Sequence, residues 1–320
     1  MFHNAEYIYA VNKAGSFSAA AKDLYITQPC LSAMVKKKED QLGVLIFDRN
    51  TKPLRLTEYG VQYINYLEKI WNLEHEYEKY LSDVRGLRTG RLSIGASNDL
   101  ASFVLPPIIQ NFKAKYSGVQ VQIFEGNIDY LQDALTRGKL DLILENSNMD
   151  TEIFTQHQLC TEQLLLAAHK SIHDATPLSD QYLTYDDIMS GRHMKIKPFS
   201  LFPDALAHTP IITMRTENDA RSRMDSIFDQ AGLSADIQLE VDQLATAYNI
   251  ACTGVGLTLV SDTLLYSTPP HSNMYYYKLP HLISTRYVYM YHKRSRYIHL
   301  AMQKFMDITF STLADGILYF

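Results

Sequence analysis

Apolar positions follow different periods along the chain. In residues 28–42 Leu31 and Val35 lie on one side while Gln28, Ser32 and Lys36 line another, the pattern of a helix with one buried face. Thr27 is placed to cap it, Pro29 sits in its first turn where a missing N–H costs nothing, and Gly43 stops it. Just before it, Ser16 can cap a shorter helix whose small residues, Ala19, Ala20 and Ala21, allow close approach. Two short helices joined by a three- to four-residue turn form the shape that enters a DNA major groove. Residues 50–56 alternate and contain turn formers, which predicts a small hairpin with Arg55 opposite Leu54 and Leu56.

From Tyr63 the spacing becomes 3-4-3-4 through Tyr66, Ile70, Leu73, Tyr77, Tyr80, Val84 and Leu87, a heptad seam in a proline-free helix. Tyrosine is a poor knob for a tight parallel pair, so the seam is expected to be wide, antiparallel or packed partly on its own domain. A dimer helix is favoured over a single amphipathic one, because one helix-turn-helix buries little DNA surface.

Beyond Gly90 strand and helix patterns alternate. Strands are expected at 91–95, 119–124, 140–144, 162–168, 194–198, 210–214 and 256–260, with helices at 105–116, 128–137, 219–232 and 244–253. Such alternation predicts an α/β unit of parallel sheets with helices on both faces. Residues 243–261 are uncharged and long enough to span a membrane, but they hold Asn249, Gly254 and Gly256, so a buried helix-turn-strand is expected and no membrane partner.

At 320 residues, 46% hydrophobic and 20% charged, the chain suits two or three globular domains. The net charge of −5 is unevenly spread. Residues 1–60 hold eight Lys and Arg against six Asp and Glu, a net of +2, while residues 91–320 hold eighteen against twenty-four, a net of −6. Nucleic-acid contact must therefore rest on local clustering around Lys36, Lys37, Lys38, Arg49, Lys52 and Arg55. Gln28 can bond an adenine edge, Ser32 can serve a base, a phosphate or only water, and the lysines suit phosphates. Three cysteines without a close pair, Cys30, Cys160 and Cys252, fit a reducing cytoplasm, and residues 1–6 show no secretory pattern.

Residues 2–60 resemble the amino-terminal domain of LysR-type transcriptional regulators. The resemblance rests on Gly15, Ser16, Phe17, Ala20, Ala21, Gln28, Pro29, Leu31, Ser32, Leu42, Gly43, Phe47, Arg49, Leu56, Thr57 and Gly60. Cys30, Ala33, Met34 and Lys38 depart from it. The remainder resembles that family's effector domain, itself similar to periplasmic solute-binding proteins. Gly90, Arg91, Leu105, Pro106, Phe112, Glu125, Gly126, Gly138, Asp141, Gly254 and Gly256 are among the residues that match, while Ser261 stands where proline is often found.

The resemblance implies a winged helix-turn-helix at 1–58, a linker helix at 59–89 and a two-lobed effector domain at 90–320. One lobe would take residues 90–161 and 267–320, the other 162–266. It further implies a cytoplasmic homodimer or homotetramer on a double-stranded DNA operator, with RNA polymerase as a further partner. The DNA-facing set is Ser16, Thr27, Gln28, Pro29, Ser32, Lys36, Lys37, Arg49, Lys52 and Arg55. A small-molecule effector is expected in a cleft at the strand-to-helix turns, where helix N-termini favour an anion. Ser97 and Asn98 occupy the first such turn, and resemblance adds Asn127, Ser200, Phe202 and Thr253. Ser97 serves equally as a plain helix cap, and Phe202 as a core aromatic.

No nucleophile elbow, Walker loop, zinc-protease helix or Cys-x-x-Cys is present, so neither an enzyme nor a cofactor is expected. His169 and His173 have metal-ligand spacing but no third ligand, and read as surface histidines. The rival reading is a solute-binding or transport-like protein with an amino-terminal assembly module.

Overall fold

The computed structural model describes residues 5–49, 51, 53–84, 90–216 and 218–313. Residues 1–80 and 81–320 are two compact units.

In the first unit, α1 (Ala5–Ala14), α2 (Phe17–Asp23) and α3 (Gln28–Leu42) are followed by the two-residue strands β1 (Phe47–Asp48) and β2 (Arg55–Leu56) and by α4 (Glu58–Val84). The caps fall where residue chemistry puts them. Ser16 Oγ accepts from the N–H of Ala19 at 3.0 Å, Thr27 Oγ1 accepts from that of Cys30 at 3.4 Å, and Gly43 ends α3 at φ +70°, which a side chain would resist. Ala20, Ala21, Leu31, Val35, Ile46 and Phe47 close the core with Tyr63, Ile64 and Leu67 of α4. Gly60 allows that last contact, since a Cβ there would lie 2.0 Å from the carbonyl oxygen of Ile46. β1 and β2 pair antiparallel as a wing, but its first strand lies before residues 50–56, where the hairpin was expected.

The second unit begins with β3 (Gly90–Ala96), α5 (Asn98–Phe103), α6 (Leu105–Lys115), β4 (Val119–Glu125), α7 (Ile128–Thr136), β5 (Leu142–Glu145) and the long β6 (Phe154–His169). Short helices α8 (Lys170–Ala175), α9 (Tyr185–Met189), α10 (Arg192–Lys195) and α11 (Pro203–Ala207) lead to β7 (Ile211–Met214), α12 (Asp219–Ala231), β8 (Ile237–Val241), α13 (Leu244–Ala251), β9 (Thr258–Ser261) and α14 (Asp262–Tyr266). The chain closes with β10 (Met274–Lys278), α15 (His281–Ser284), β11 (Thr285–Lys293) and α16 (Leu300–Thr312).

β3 pairs in parallel with β4 and β5, as the alternation predicted, but the sheet is mixed: β11 runs antiparallel between β5 and β6. β6 serves two lobes. Up to Gln163 it pairs with β11, and from Leu164 onward with β9 and β10. Leu92, Ile94, Phe112, Leu144, Val288 and Phe305 pack in the first lobe, whereas Leu165, Ile212, Phe228, Tyr248, Leu259 and Tyr276 pack in the second.

Two expectations are corrected. Residues 194–198 are not a strand; Gly191 at φ +70° starts α10 there, and buried His193 bonds Asp262 at 3.2 Å. Tertiary contacts override the alternating Met194, Lys195, Ile196 and Lys197. The second lobe also extends past residue 266, because Met274, Tyr276, Tyr277, Leu279 and Ile283 share its core.

The stretch 243–261 is the expected helix-turn-strand, formed by α13 and β9. Among the described residues no helix is long and apolar enough to cross a membrane.

Candidate functional site

α3 buries Leu31, Val35 and Glu39 and turns Gln28, Pro29, Lys36 and Lys37 to solvent, with Ser32 half-buried between them. Its polar face and its opening turn are therefore free for an external partner. Tyr25, just before it, is 96% exposed and holds φ +55°, a left-handed conformation unusual for a side chain of that size. The sequence reading passed over Tyr25; its position between two caps was the available signal.

Arg49, expected to face DNA, is also engaged within its own unit. Glu39, inside the core, accepts from the N–H groups of Ile46 at 2.8 Å and Phe47 at 3.2 Å, and from Arg49 Nη2 at 2.9 Å. The Arg49 guanidinium also lies 5.6 Å from the centre of the Phe17 ring. Arg49 thus ties the wing to α3. Arg55 projects from β2 to solvent while Leu54 and Leu56 pack inward. Lys52 lies outside the described residues.

The heptad seam of α4 divides in two. Tyr63 is buried in its own core beside Ile64 and Leu67, and Trp71 meets Tyr9 edge-on at 5.1 Å. Tyr66, Leu73, Tyr77 and Tyr80 are exposed, an apolar stripe in which the rings of Tyr77 and Tyr80 stack at 6.5 Å. The Val84 side chain and Leu87 lie outside the described residues.

Between the lobes of the second unit lies a cavity of about 420 Å³, within the range of small-molecule sites. Two strand-to-helix turns build it, Ser97, Asn98 and Asp99 after β3 and Glu125, Gly126, Asn127 and Ile128 at the end of β4, together with Glu145, Asn146 and Ser147 at the end of β5. The second lobe contributes Asn218 and Asp219 at the start of α12 and Asp242, Gln243 and Leu244 at the start of α13, and Arg286 comes from β11. Ser97 occupies the cap position of α5 but makes no side-chain cap hydrogen bond, so its hydroxyl is not spent on the helix. Asn98 Nδ2 donates to Glu125 Oε2 at 2.9 Å.

Ser200, Phe202 and Thr253 do not reach this cavity. Ser200 is exposed ahead of α11, and Phe202 caps that helix with its N–H donating to Leu178 O at 2.8 Å. Thr253 lies at the far end of α13, about 13 Å along the axis from the end that opens on the cavity. The acidic residues of the wall went unread. Asp219 and Asp242 follow strands at helix starts and were within reach of the rule that found Ser97, whereas Arg286 sits on a strand that no pattern marked.

The wall's charge also runs against the expected anion. Asn127 Oδ1 already accepts from the N–H of Tyr130, and Asn218 Oδ1 from that of Ala220, which uses donors an anion would seek. Burial pushes the Asp99 carboxyl up to about 6, against the lowering pull of Arg286 and with a further push from Glu162. Burial likewise raises Glu145, although the N–H groups of Asn146 and Ser147 oppose it.

Burial pushes the Cys160 thiol up to about 12, with Glu162 and Asp262 adding to it, and raises Cys252 as well, so neither thiolate is favoured. His169 caps α8, and His173 Nδ1 lies 2.8 Å from the Tyr277 hydroxyl. Among the described residues no group of three His, Cys, Asp or Glu is placed to hold a metal ion.

A winged helix-turn-helix joined to a two-lobed α/β unit with a small-molecule cavity defines a DNA-binding regulator with a sensing domain. Residues 2–61 match the profile of the bacterial regulatory helix-turn-helix proteins of the lysR family, and residues 85–189 and 200–313 match the LysR substrate binding domain. The chain belongs to the LysR family of transcription regulators.

Among its relatives, a probable RuBisCO transcriptional regulator of Porphyra purpurea is 28% identical over 258 residues, covering 79% of this chain and 75% of that one. The uncharacterized HTH-type transcriptional regulator YcgK of Bacillus subtilis is 25% identical over 316 residues, covering 96% and 93%. In fold, the chain is similar to full-length CbnR in complex with its target DNA, with a TM-score of 0.68 at 16% identity over 99% of this chain and 100% of that one. The cofactor-binding domain of the Cbl regulator gives a TM-score of 0.54 at 20% identity over 70% and 90%.

Proposed function

We propose that this chain acts on a pseudo-palindromic operator as a homodimer or a pair of dimers, that α3 reads the major groove, and that a small molecule in the interlobe cavity sets the outcome. The observation that carries this reading is the pairing, within one chain, of a capped helix with an open polar face and a ligand-sized cavity between two lobes. Gln28 and Ser32 are the base-contacting candidates, Lys36, Lys37, Lys52 and Arg55 the phosphate contacts, and Ser16, Thr27 and Pro29 shape the entry. Two copies pair through the α4 stripe, which gives the half-site spacing that operator symmetry requires. The protein regulates transcription inside the cell, with RNA polymerase as its downstream partner, and catalyses no reaction.

The test is a mobility-shift titration on the DNA upstream of its own coding region at two salt concentrations. A discrete, competitor-resistant shift that Gln28→Ala weakens by roughly 1–3 kcal/mol supports base reading. Binding that vanishes equally on any sequence as salt rises leaves only electrostatic contact and overturns it.

A further inference from the structure

We propose that Tyr25, in the turn ahead of α3, is a DNA-backbone contact whose phenol donates to a phosphate oxygen beside the major groove. This rests on the reading of α3 as the groove-entering helix. α2 closes with a Schellman arrangement, in which the N–H of Tyr25 donates to Lys22 O at 3.2 Å and that of Ile26 to Ala21 O at 3.0 Å. Such a closure needs a left-handed residue just past the helix, and glycine fills that position without steric cost. Here the residue is a tyrosine at φ +55°. Every other positive φ among the described residues belongs to a glycine.

Packing does not account for that choice. Tyr25 is 96% exposed, more than any other large hydrophobic side chain among the described residues, so its ring and hydroxyl add nothing to the core beneath them. Backbone strain that no packing offsets implies an external partner. The surrounding residues say which one. Leu24 and Ile26 pack against the core on either side of Tyr25, so the turn is anchored and its exposed ring has a fixed root. Thr27 then caps α3 and Gln28 opens it, which puts Tyr25 three residues ahead of the helix. That is the end of a recognition helix that enters the groove, where the sugar-phosphate strand runs past the preceding turn. A tyrosine hydroxyl is among the donors that hold phosphate oxygens. Being neutral, it releases no counterion, which separates its contribution from those of Lys36 and Lys37. Being a backbone contact, it leaves the choice of bases unchanged.

The experiment is a mobility-shift titration of the full chain on the DNA upstream of its coding region and on an unrelated duplex of equal length, at several salt concentrations. Wild type, Tyr25→Phe, Tyr25→Gly and Gln28→Ala are compared, with a thermal melt of each. Tyr25→Phe is expected to weaken binding to both duplexes alike, by roughly fivefold or more, with an unchanged slope of log affinity against log salt. Tyr25→Gly is expected to bind at least as weakly, yet to melt at the same temperature or higher, because glycine relieves the left-handed strain. Wild-type affinity in Tyr25→Phe overturns the proposal. So does a loss confined to the upstream duplex, which marks a base reader, or a loss that comes with earlier melting in both variants, which marks a structural residue. Gln28→Ala separates the two readings. If it alone weakens binding to the upstream duplex, Tyr25 is removed and α3 stays in the groove. If no variant weakens binding, α3 is removed from the groove and Tyr25 with it.

Discussion

Glu39 shows how one buried carboxylate can organise a domain. It takes two backbone N–H groups of the segment entering the wing and the guanidinium of Arg49, so three donors depend on it. Glu39→Ala leaves two of those N–H groups without their partner inside the core, and a loss of roughly 2–4 kcal/mol from the amino-terminal unit is expected in chemical denaturation. Arg49→Ala removes only a partly exposed partner and costs less, so the order of the two midpoints checks the assignment. Asp99 carries a pH signature of definite sign. Its folded value of about 6 lies above the ordinary 3.8, so the native state holds the proton more tightly than the unfolded chain does. Stability therefore falls as pH rises from about 4 through about 6, and the full cost of the buried charge is present above that window. Asp99→Asn is expected to raise the melting temperature of the ligand-free protein by several degrees at pH 8 and by little at pH 4. A gain that does not depend on pH would show that packing, not charge, is responsible. Arg286 lowers and Glu162 raises the position of this window, and neither changes its sign.

At the scale of elements, α4 is two helices in function. Its first half is a wall of the DNA-binding unit through Tyr63, Ile64 and Leu67, with Tyr66 on the opposite, exposed side, and its second half presents Leu73, Tyr77 and Tyr80 to the outside. Replacing Leu73 and Tyr77 together by lysine is expected to shift the protein from dimer to monomer in sedimentation, while its melting temperature changes little because neither side chain is in the core. An unchanged sedimentation coefficient would place the dimer contact elsewhere. This element was legible from its spacing, though the spacing did not reveal that Tyr63 leaves the seam. α3 was legible to the residue, because Thr27, Pro29 and Gly43 act through local backbone chemistry. Residues 194–198 were misread because α10 depends on His193 reaching Asp262, which lies in a distant part of the chain. The cavity was legible only where a strand runs into a helix, as at Ser97 and Asn127. Glu145 and Arg286 face it because β5 and β11 are neighbours in the sheet, and no local pattern encodes that pairing.

Across the whole molecule, the charge that argued against a nucleic-acid partner is concentrated away from the helix-turn-helix, since residues 91–320 carry the net −6. Lys36 and Lys37 must then supply phosphate contact locally, and Lys36→Ala is expected to lower the slope of log affinity against log salt by about 1 with little change in sequence preference. A slope that stays put removes Lys36 from the interface. The sharing of β6 between lobes has a consequence in time. The amino-terminal unit is contiguous and has its whole core by residue 80, so it can fold while the rest is still being synthesised. The first lobe cannot, because β11, which separates β5 from β6, ends at residue 293, and its covering helix α16 ends at residue 312. At elongation rates of about 5–20 residues per second the interval between β5 and β11 lasts roughly 7–30 s, during which the edge of β5 stands open on the ribosome. A newborn chain thus acquires its grip on the operator before it acquires anything able to regulate that grip.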